Sequence, residues 1–225
     1  MARKRSEQDR LIESPELPQE TSGEFLPDGQ LCELDSYKNI LVSNCKLAGA
    51  RAVTINRAYF QTVQISNTQF SRFDLSNTRF DACDLANTEW DKASLNRVEF
   101  IGCKLLGFQI LKSQVKNTLF KDCQGKFAQF EFTKFKSVRF EDCLLEDTNF
   151  QDADLSNVVF RNCDMRNTML TGAQLIGTDF RGSKIEELQV SIEQLRGAIF
   201  EPLQAAYLLQ RYVGVIVKYS EQNQV

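Results

Sequence analysis

The sequence contains no histidine, and it has no proline between Pro27 and Pro202. Without histidine the chain lacks the commonest general base and metal ligand, which disfavours an enzyme. The missing prolines are expected where backbone N–H groups are needed throughout as hydrogen-bond donors. No run of about 18 apolar residues could span a bilayer, and no apolar signal-peptide core follows the basic first residues. We therefore expect a cytoplasmic protein that is not an enzyme.

Charge and cysteine content narrow the class further. The formal net charge of −3 provides no overall positive field for nucleic acid. Seven cysteines, an odd number outside any short secreted scaffold, favour reduced thiols in a reducing compartment. With 225 residues, of which 42% are hydrophobic, the chain can bury a core.

A ladder of phenylalanines at a constant twenty-residue spacing dominates the sequence. Every fifth residue from Ile55 to Phe200 is apolar, with Gly125 as the exception. Neither the helical period of 3.6 nor the strand period of 2 explains a strict five, whereas a solenoid with four short sides per coil does. Identical positions would then stack about 4.8 Å apart. The first side would stack Phe60, Phe80, Phe100, Phe120, Phe140, Phe160, Phe180 and Phe200, and the second Ile65, Leu85, Leu105, Gly125, Leu145, Met165 and Ile185. The third would stack Phe70, Trp90, Ile110, Phe130, Phe150, Leu170 and Val190, and the fourth Leu75, Leu95, Val115, Phe135, Leu155, Leu175 and Leu195.

Five cysteines form a further column, two positions before the second side's apolar residues: Cys83, Cys103, Cys123, Cys143 and Cys163. A metal site would need ligands that converge in a tetrahedron, which a straight stack of thiols does not supply. Threonines occupy equivalent places on other sides. We interpret the column as small buried side chains selected for their size.

Two positions disturb the rhythm. The apolar position falls at Tyr37, Val42, Leu47 and Ala52, and then only three residues later at Ile55. This slip predicts a kink, a bulge or a poorly ordered first coil. At Gly125 we expect either a void or an inward-leaning neighbour such as Phe127.

The two ends differ from the repeat. Residues 1–30 hold three of the four prolines and mixed charges, which predicts a flexible tail before a repeat region over 31–200. Ser191 with Gln194 predicts a short helical turn, and Glu201-Pro202 begins a helical segment that Gly214 ends. A β-prone run, Val215 to Val217, completes a terminal element over 201–219, and residues 220–225 should fray.

The terminal helix is apolar nearly all round, so one face should cover the last coil and the other should pair with a second copy. The alternative is a fully buried cap on a monomer. The candidate dimer-interface residues are Leu203, Ala206, Leu208, Leu209, Tyr212, Val213, Val215, Ile216 and Val217.

Units such as Phe73-Asp74-Leu75-Ser76-Asn77 and Ala153-Asp154-Leu155-Ser156-Asn157 match the A(D/N)LXX signature. Over roughly residues 32–200 the sequence resembles the pentapeptide repeat proteins. The resemblance implies an all-β solenoid, a right-handed quadrilateral parallel β-helix with a short C-terminal helix and strand. The ending also resembles the bacterial quinolone-resistance branch, whose members dimerise through such elements and imitate B-form DNA to bind DNA gyrase.

That resemblance implies a function. We expect a non-enzymatic homodimer that mimics DNA and modulates DNA gyrase or a related type II topoisomerase, including fluoroquinolone resistance. We expect no cofactor, metal, small-molecule substrate, direct nucleic-acid binding or membrane association. The alternative is a regulatory or scaffold module with a different protein partner.

The outward charges fit a DNA mimic poorly, because no side carries one sign throughout. The candidate partner-binding acidic patch is Glu141, Asp142, Glu146, Asp147, Asp152 and Asp154, and an ordinary solvated surface is the alternative. The fourth side is basic, with Arg97, Lys116, Lys134, Lys136 and Arg196. Because no insertion interrupts the five-residue phase, the rod should have no projecting loop.

Overall fold

The computed structural model describes residues 12–19, 24–25 and 30–218, and most of this length forms a parallel β-solenoid. The strands are β1 Glu24–Phe25, β2 Ser36–Ser43, β3 Thr54–Gln61, β4 Gln69–Ser71, β5 Asp74–Asp81, β6 Glu89–Asp91, β7 Ser94–Ile101, β8 Gln109–Leu111, β9 Gln114–Lys121, β10 Lys134–Glu141 and β11 Val159–Arg161. A 3-10 turn Glu193–Leu195, helix α1 Pro202–Leu208 and a π-helical turn Leu209–Val213 follow. Among the described residues no helix has the length and apolarity needed to cross a membrane.

Strand pairing confirms the twenty-residue coil. An eight-stranded sheet has the order β1-β2-β3-β5-β7-β9-β10-β11, and a smaller sheet has the order β4-β6-β8. All of these pairs are parallel, and from β3 onward each residue pairs with the one twenty positions later, as Leu75 does with Leu95. Isolated bridges such as Gln64 with Asp84 keep this register on the second side. The predicted pentapeptide-repeat β-helix is therefore confirmed.

Left-handed backbone makes the corners. Two positions after almost every central apolar residue the backbone has a positive φ, for example 59° at Asn67 and 49° at Asn77. Asn, Asp and Gly tolerate this conformation best, and they occupy many of these corners. The same turn at Phe127 and Phe132, with φ of 60° and 55°, is unusual for bulky side chains. A regular corner every five residues gives each side its length.

The four predicted apolar columns form one continuous core. Successive rings of the phenylalanine ladder stack with centroids 4.6–5.4 Å apart and planes within 13° of parallel, from Phe60 to Phe200. The other columns are equally buried and open to solvent only near the C-terminal end. Because each ring contacts the coils on both sides, the ladder joins neighbouring coils through apolar burial and stacking.

The small-residue positions also donate hydrogen bonds, which the sequence interpretation did not include. Each thiol of the cysteine column lies 3.4–3.5 Å from the carbonyl oxygen 23 residues earlier, as Cys123 does from Phe100. On another side Thr168 Oγ1 donates to the Leu145 carbonyl at 3.0 Å. The cysteines are buried small side chains, as predicted. Each of these thiols therefore supplies a donor to the neighbouring coil as well as a small volume.

The slip in the repeat is a shortened corner. Tyr37 pairs with Ile55 at a spacing of eighteen, whereas Arg51 pairs with Ser71 at twenty. Two residues are therefore missing from the first coil between Leu47 and Arg51. The expectation that Ala52 is the inward residue is wrong: Ala50 is buried instead, and Ala52 lies on a corner with φ of 54°.

Gly125 leaves no void, and the expected compensation by Phe127 is wrong. Phe127 is 51% exposed. A β-carbon at Gly125 would instead stand 2.9 Å from Cδ2 of Leu145, so Leu145 of the next coil fills the space. The left-handed corner turns Phe127 away from the core.

Two glutamine side chains close the C-terminal end of the rod. Gln194 Nε2 donates to the carbonyls of Leu170 and Ala173 at 3.1 and 3.4 Å. Gln204 Nε2 donates to Phe180 and Ser183 at 2.8 and 2.7 Å. Their carbonyl oxygens accept from Ser191 N and Glu201 N, which confirms both predicted helix starts. These amides replace donors that a further coil would have provided.

The C-terminal segment departs from prediction after the helix. Gly214, with φ of 75°, ends the helical segment as expected. The predicted strand over 215–217 is wrong, because residues 214–218 are irregular. Among the described residues, 215–217 pair with no strand. Residues 220–225, predicted to fray, lie outside the described residues.

The prediction of a flexible tail over 1–30 is wrong for residues 12–19, which lie against the fourth side of the solenoid. It is also wrong for β1, which pairs with β2. Residues 1–11, 20–23 and 26–29 lie outside the described residues.

Candidate protein-binding surfaces

The six residues of the acidic patch belong to one coil but follow its perimeter, so they do not form a single face. Several are paired with cations. Lys126 Nζ lies 3.9 Å from Glu146 and 3.4 Å from Asp147, and Arg166 lies 2.6 Å from Glu146. Arg139 pairs in the same way with Glu141. Three of the six acidic residues, Glu141, Glu146 and Asp147, are therefore neutralised locally.

The other three acidic residues of the patch accept hydrogen bonds from uncharged groups. Asp142 accepts from Asn162 Nδ2 at 3.2 Å, and Asp154 accepts from the backbone N–H of Ser156 at 3.1 Å. Asp152 accepts from Gln151 Nε2 at 3.4 Å. They occupy different sides or corners of the coil, so the structure does not bring them together.

Three lysines on the fourth side form an exposed group of like charge. Lys116 lies on β9, and Lys134 and Lys136 lie on β10, the adjacent strand. All three are exposed. Within the described part of the chain none of them is in an ion pair, unlike Lys126 and Lys184. We call Lys116, Lys134 and Lys136 the lysine row.

The C-terminal segment presents an apolar surface that includes part of the predicted dimer interface. Its exposed members, 42–81% accessible, are Leu203, Leu209, Val213, Val215 and Ile216. Ala206 and Val217 are half-buried. Leu208 is buried, and the Tyr212 hydroxyl donates to the Leu188 carbonyl. Leu208 and Tyr212 therefore face the rod and are unavailable to a partner, which corrects the prediction for those two.

Exposed large apolar side chains at the middle of the rod were missed from the sequence. Phe127, Phe132 and Leu144 are 51–53% exposed, and Lys126 Nζ lies 5.1 Å from the centre of the Phe127 ring. The available signal was an aromatic residue at a corner position, two places after a central residue. The other corner positions, which recur every five residues, are mostly occupied by polar residues or glycine.

Two family models match the chain. One describes a pentapeptide repeat region and matches residues 93–160 and 128–190, and the other describes eight copies of pentapeptide repeats and matches 74–107. Together they span 74–190, more than half of the 225 residues. The chain belongs to the pentapeptide repeat family. A comparison with curated proteins finds no match.

Solved structures similar to this pentapeptide repeat protein include a trypsin-treated variant of QnrB1, described as a plasmid-mediated fluoroquinolone resistance protein. It is 17% identical, with a TM-score of 0.44, and the match covers 81% of this chain and all of that one. HetL, from the cyanobacterium Nostoc sp. strain PCC 7120, is described as involved in heterocyst differentiation regulation. It is 16% identical, with a TM-score of 0.30, and the match covers 75% of this chain and 90% of that one.

One buried carboxylate of this repeat protein is tied to two cations. Asp164 Oδ1 and Oδ2 accept from Arg166 at 2.8 and 2.7 Å, and Lys184 Nζ lies 3.1 Å from Oδ2. Hydrogen bonds from Arg166 and then Lys184 lower the pKa of Asp164 to about 2 in spite of its burial. No group of three or more potential metal ligands converges within the described ranges. We assign Asp164 a structural role.

Proposed function

We propose that this chain is a non-enzymatic protein-binding rod that acts in the cytoplasm as a homodimer. We further propose that it binds DNA gyrase or a related type II topoisomerase as a mimic of duplex DNA and so modulates the enzyme, including its response to fluoroquinolones. One observation carries the proposal: the twenty-residue register continues from Thr54 to Ile199 without an inserted loop. A rod of constant cross-section has the shape needed to enter a groove built for duplex DNA.

The dimensions of a dimer agree with this shape. Eight stacked phenylalanines span seven steps, or about 34 Å at the usual strand spacing of about 4.8 Å. Two rods joined end to end would span about 70 Å, close to the length of about 20 base pairs at about 3.4 Å each. The exposed Leu209, Val213 and Ile216 provide an apolar surface at the correct end for such a junction.

The charges indicate that the rod would mimic the shape of duplex DNA more closely than its electrostatic field. Duplex DNA has one negative charge per about 1.7 Å of its axis, whereas the acidic patch is partly neutralised by Lys126, Arg139 and Arg166. Binding to gyrase should therefore be less sensitive to salt than DNA binding is.

The test is a gyrase supercoiling assay titrated with the purified chain, with and without a fluoroquinolone, at two salt concentrations. We expect inhibition or drug protection at micromolar dimer. Higher salt should weaken this effect less than it weakens the binding of competing DNA to gyrase. The matched variant Leu209→Glu/Ile216→Glu, which should be monomeric, should act more weakly. If the dimer at micromolar concentration neither inhibits gyrase nor protects it from the drug, the gyrase proposal is refuted.

A second candidate is a regulatory or scaffold module with a different protein partner. The unpaired lysine row favours it, because three exposed cations on one side suit an acidic protein surface better than a groove that binds DNA. A chain that binds acidic protein segments but leaves gyrase unaffected would support this alternative.

A further inference from the structure

Residues 12–19, here called the N-terminal segment, cross three consecutive coils of the fourth side. Arg97 Nη1 donates to Glu13 Oε2 at 2.9 Å, and the backbone N–H of Glu16 donates to Asn77 Oδ1 at 3.3 Å. Arg57 Nη2 lies 3.5 Å from the Leu17 carbonyl oxygen. Because Arg57, Asn77 and Arg97 hold the same place in successive coils, the segment runs along the coil axis.

Burial shows that the N-terminal segment packs against the solenoid. Pro18 is buried, and Ile12, Pro15 and Leu17 are half-buried. Beneath the segment Asn77 is only 8% exposed. Of the matching corners farther along the same side, Asn117 is half-buried, and Ser137 and Asn157 are exposed. The fourth side therefore accepts an extended chain that combines prolines, a few apolar groups and carboxylates.

The same surface continues past Arg97 without the segment. Lys116 and Lys136 precede the next two corners, and Lys134 lies two residues before Lys136, so both point outward from β10. The nearby carboxylate of Asp154 accepts a hydrogen bond from Ser156 N. Among the described residues, none of the three ammonium groups forms a salt bridge. Charge of one sign is thus concentrated next to the part of the side that residues 12–19 cover.

We propose that the lysine row is a docking site for an extended acidic segment of a partner protein, which lies along the coil axis as residues 12–19 do on the preceding coils. Alternate side chains of an extended chain point the same way about 6.6 Å apart, and neighbouring coils are about 4.8 Å apart. In the N-terminal segment Glu13 and the backbone of Glu16, three positions apart, contact the neighbouring coils at Arg97 and Asn77. A segment with acidic residues two or three positions apart can therefore reach Lys116 and Lys136 together. The proposal of this docking site is independent of the gyrase proposal and would stand if gyrase were not bound.

The test uses the full chain and a fluorescent peptide with the sequence of residues 12–20, which carries three glutamates. A matched peptide has glutamine at each of the three positions. Binding is measured by fluorescence anisotropy at low and at physiological salt. The test variant is Lys116→Glu/Lys136→Glu, and the control variant Lys104→Glu/Lys121→Glu makes the same charge change on other sides. Circular dichroism and thermal midpoints check that both variants fold.

We expect the acidic peptide to bind and the glutamine peptide to bind at least about tenfold more weakly, with affinity falling as salt rises. The Lys116→Glu/Lys136→Glu variant should lose at least about tenfold in affinity, while the control variant changes by less than about threefold. Equal binding of both peptides, equal loss in both variants, or no binding at millimolar chain would overturn the proposal. A single-stranded oligothymidylate that binds the row more tightly than the acidic peptide would also overturn it, in favour of nucleic acid.

Discussion

A β-carbon added to Gly49 would stand 2.1 Å from the carbonyl oxygen of Gln69. The two residues belong to neighbouring coils, and they approach because the first coil lacks two residues at this corner. The shortened coil lies directly on the next one, and only a residue without a side chain fits between them.

Replacing Gly49 by alanine should lower the free energy of unfolding by about 1–3 kcal/mol, because rigid backbone must move to admit the methyl group. Denaturant unfolding followed by circular dichroism measures this loss. The control is Gly102→Asn, at a corner with φ of 59° and no heavy atom within 4 Å of the added β-carbon. Asparagine tolerates that conformation, so the control should remain close to the parent. A Gly49→Ala chain as stable as the parent would contradict the shortened corner.

Thiol reactivity should divide the seven cysteines into two groups. Cys32 is exposed and Cys45 is half-buried, whereas the five thiols of the column are buried. In the native state a thiol reagent should modify Cys32 quickly and Cys45 slowly, and all seven should react in denaturant. Counting released chromophore gives the result, and Cys32→Ser should remove the fast phase. Native-state labelling of Cys123 as fast as that of Cys32 would count against the buried column.

Acid should weaken the rod through Asp164. Its pKa is lowered to about 2 in the folded chain, below the ordinary value of about 3.9, by hydrogen bonds from Arg166 and Lys184. The stabilisation is therefore complete above about pH 4 and is lost as the pH falls toward 2, a loss of about 1–2 kcal/mol. Thermal unfolding between pH 7 and pH 2 measures it. Asp164→Asn should flatten the curve in this window, whereas Asp122→Asn, an exposed control, should not; identical curves for Asp164→Asn and the parent would exclude this role.

The two faces of the C-terminal segment should respond differently to substitution. Leu209→Glu/Ile216→Glu should convert the proposed dimer to a monomer in light scattering while the circular dichroism spectrum stays unchanged, because both residues are exposed on the rod and only the stabilisation from dimerisation is lost. Leu208→Ala should instead cost about 2–5 kcal/mol of stability, because Leu208 is buried against the rod. An intact chain that is monomeric at micromolar concentration would refute the dimer.

The periodic part of the fold was predictable in detail because the same five-residue environment recurs. A residue such as Phe120 has one neighbour of its own kind above and one below, so its column, burial and ring stacking follow from spacing alone. The cysteine column was also predicted correctly as buried. Its hydrogen bonds were not, because the carbonyl that each thiol reaches is set by the relative height of adjacent coils.

Predictions were weaker wherever the period stops or a contact joins side chains of different coils. Ala50 rather than Ala52 is buried, because the shortened corner lies before Ala50 and not after Ala52, where the apolar pattern placed the slip. The acidic patch loses much of its charge to Lys126 and Arg166, whose partners depend on side-chain reach between coils.

The sequence by itself determined the solenoid, its four apolar columns and the helical cap, because a strict period admits only one way to stack and bury the same residues in every coil. Tertiary structure alone decided the path of residues 12–19, the shortened corner at Gly49 and the inward faces of Leu208 and Tyr212. It also decided that Glu141, Glu146 and Asp147 of the acidic patch are paired with cations while the lysine row is not. These features depend on distances between segments that share no repeat, and no periodic pattern constrains such distances.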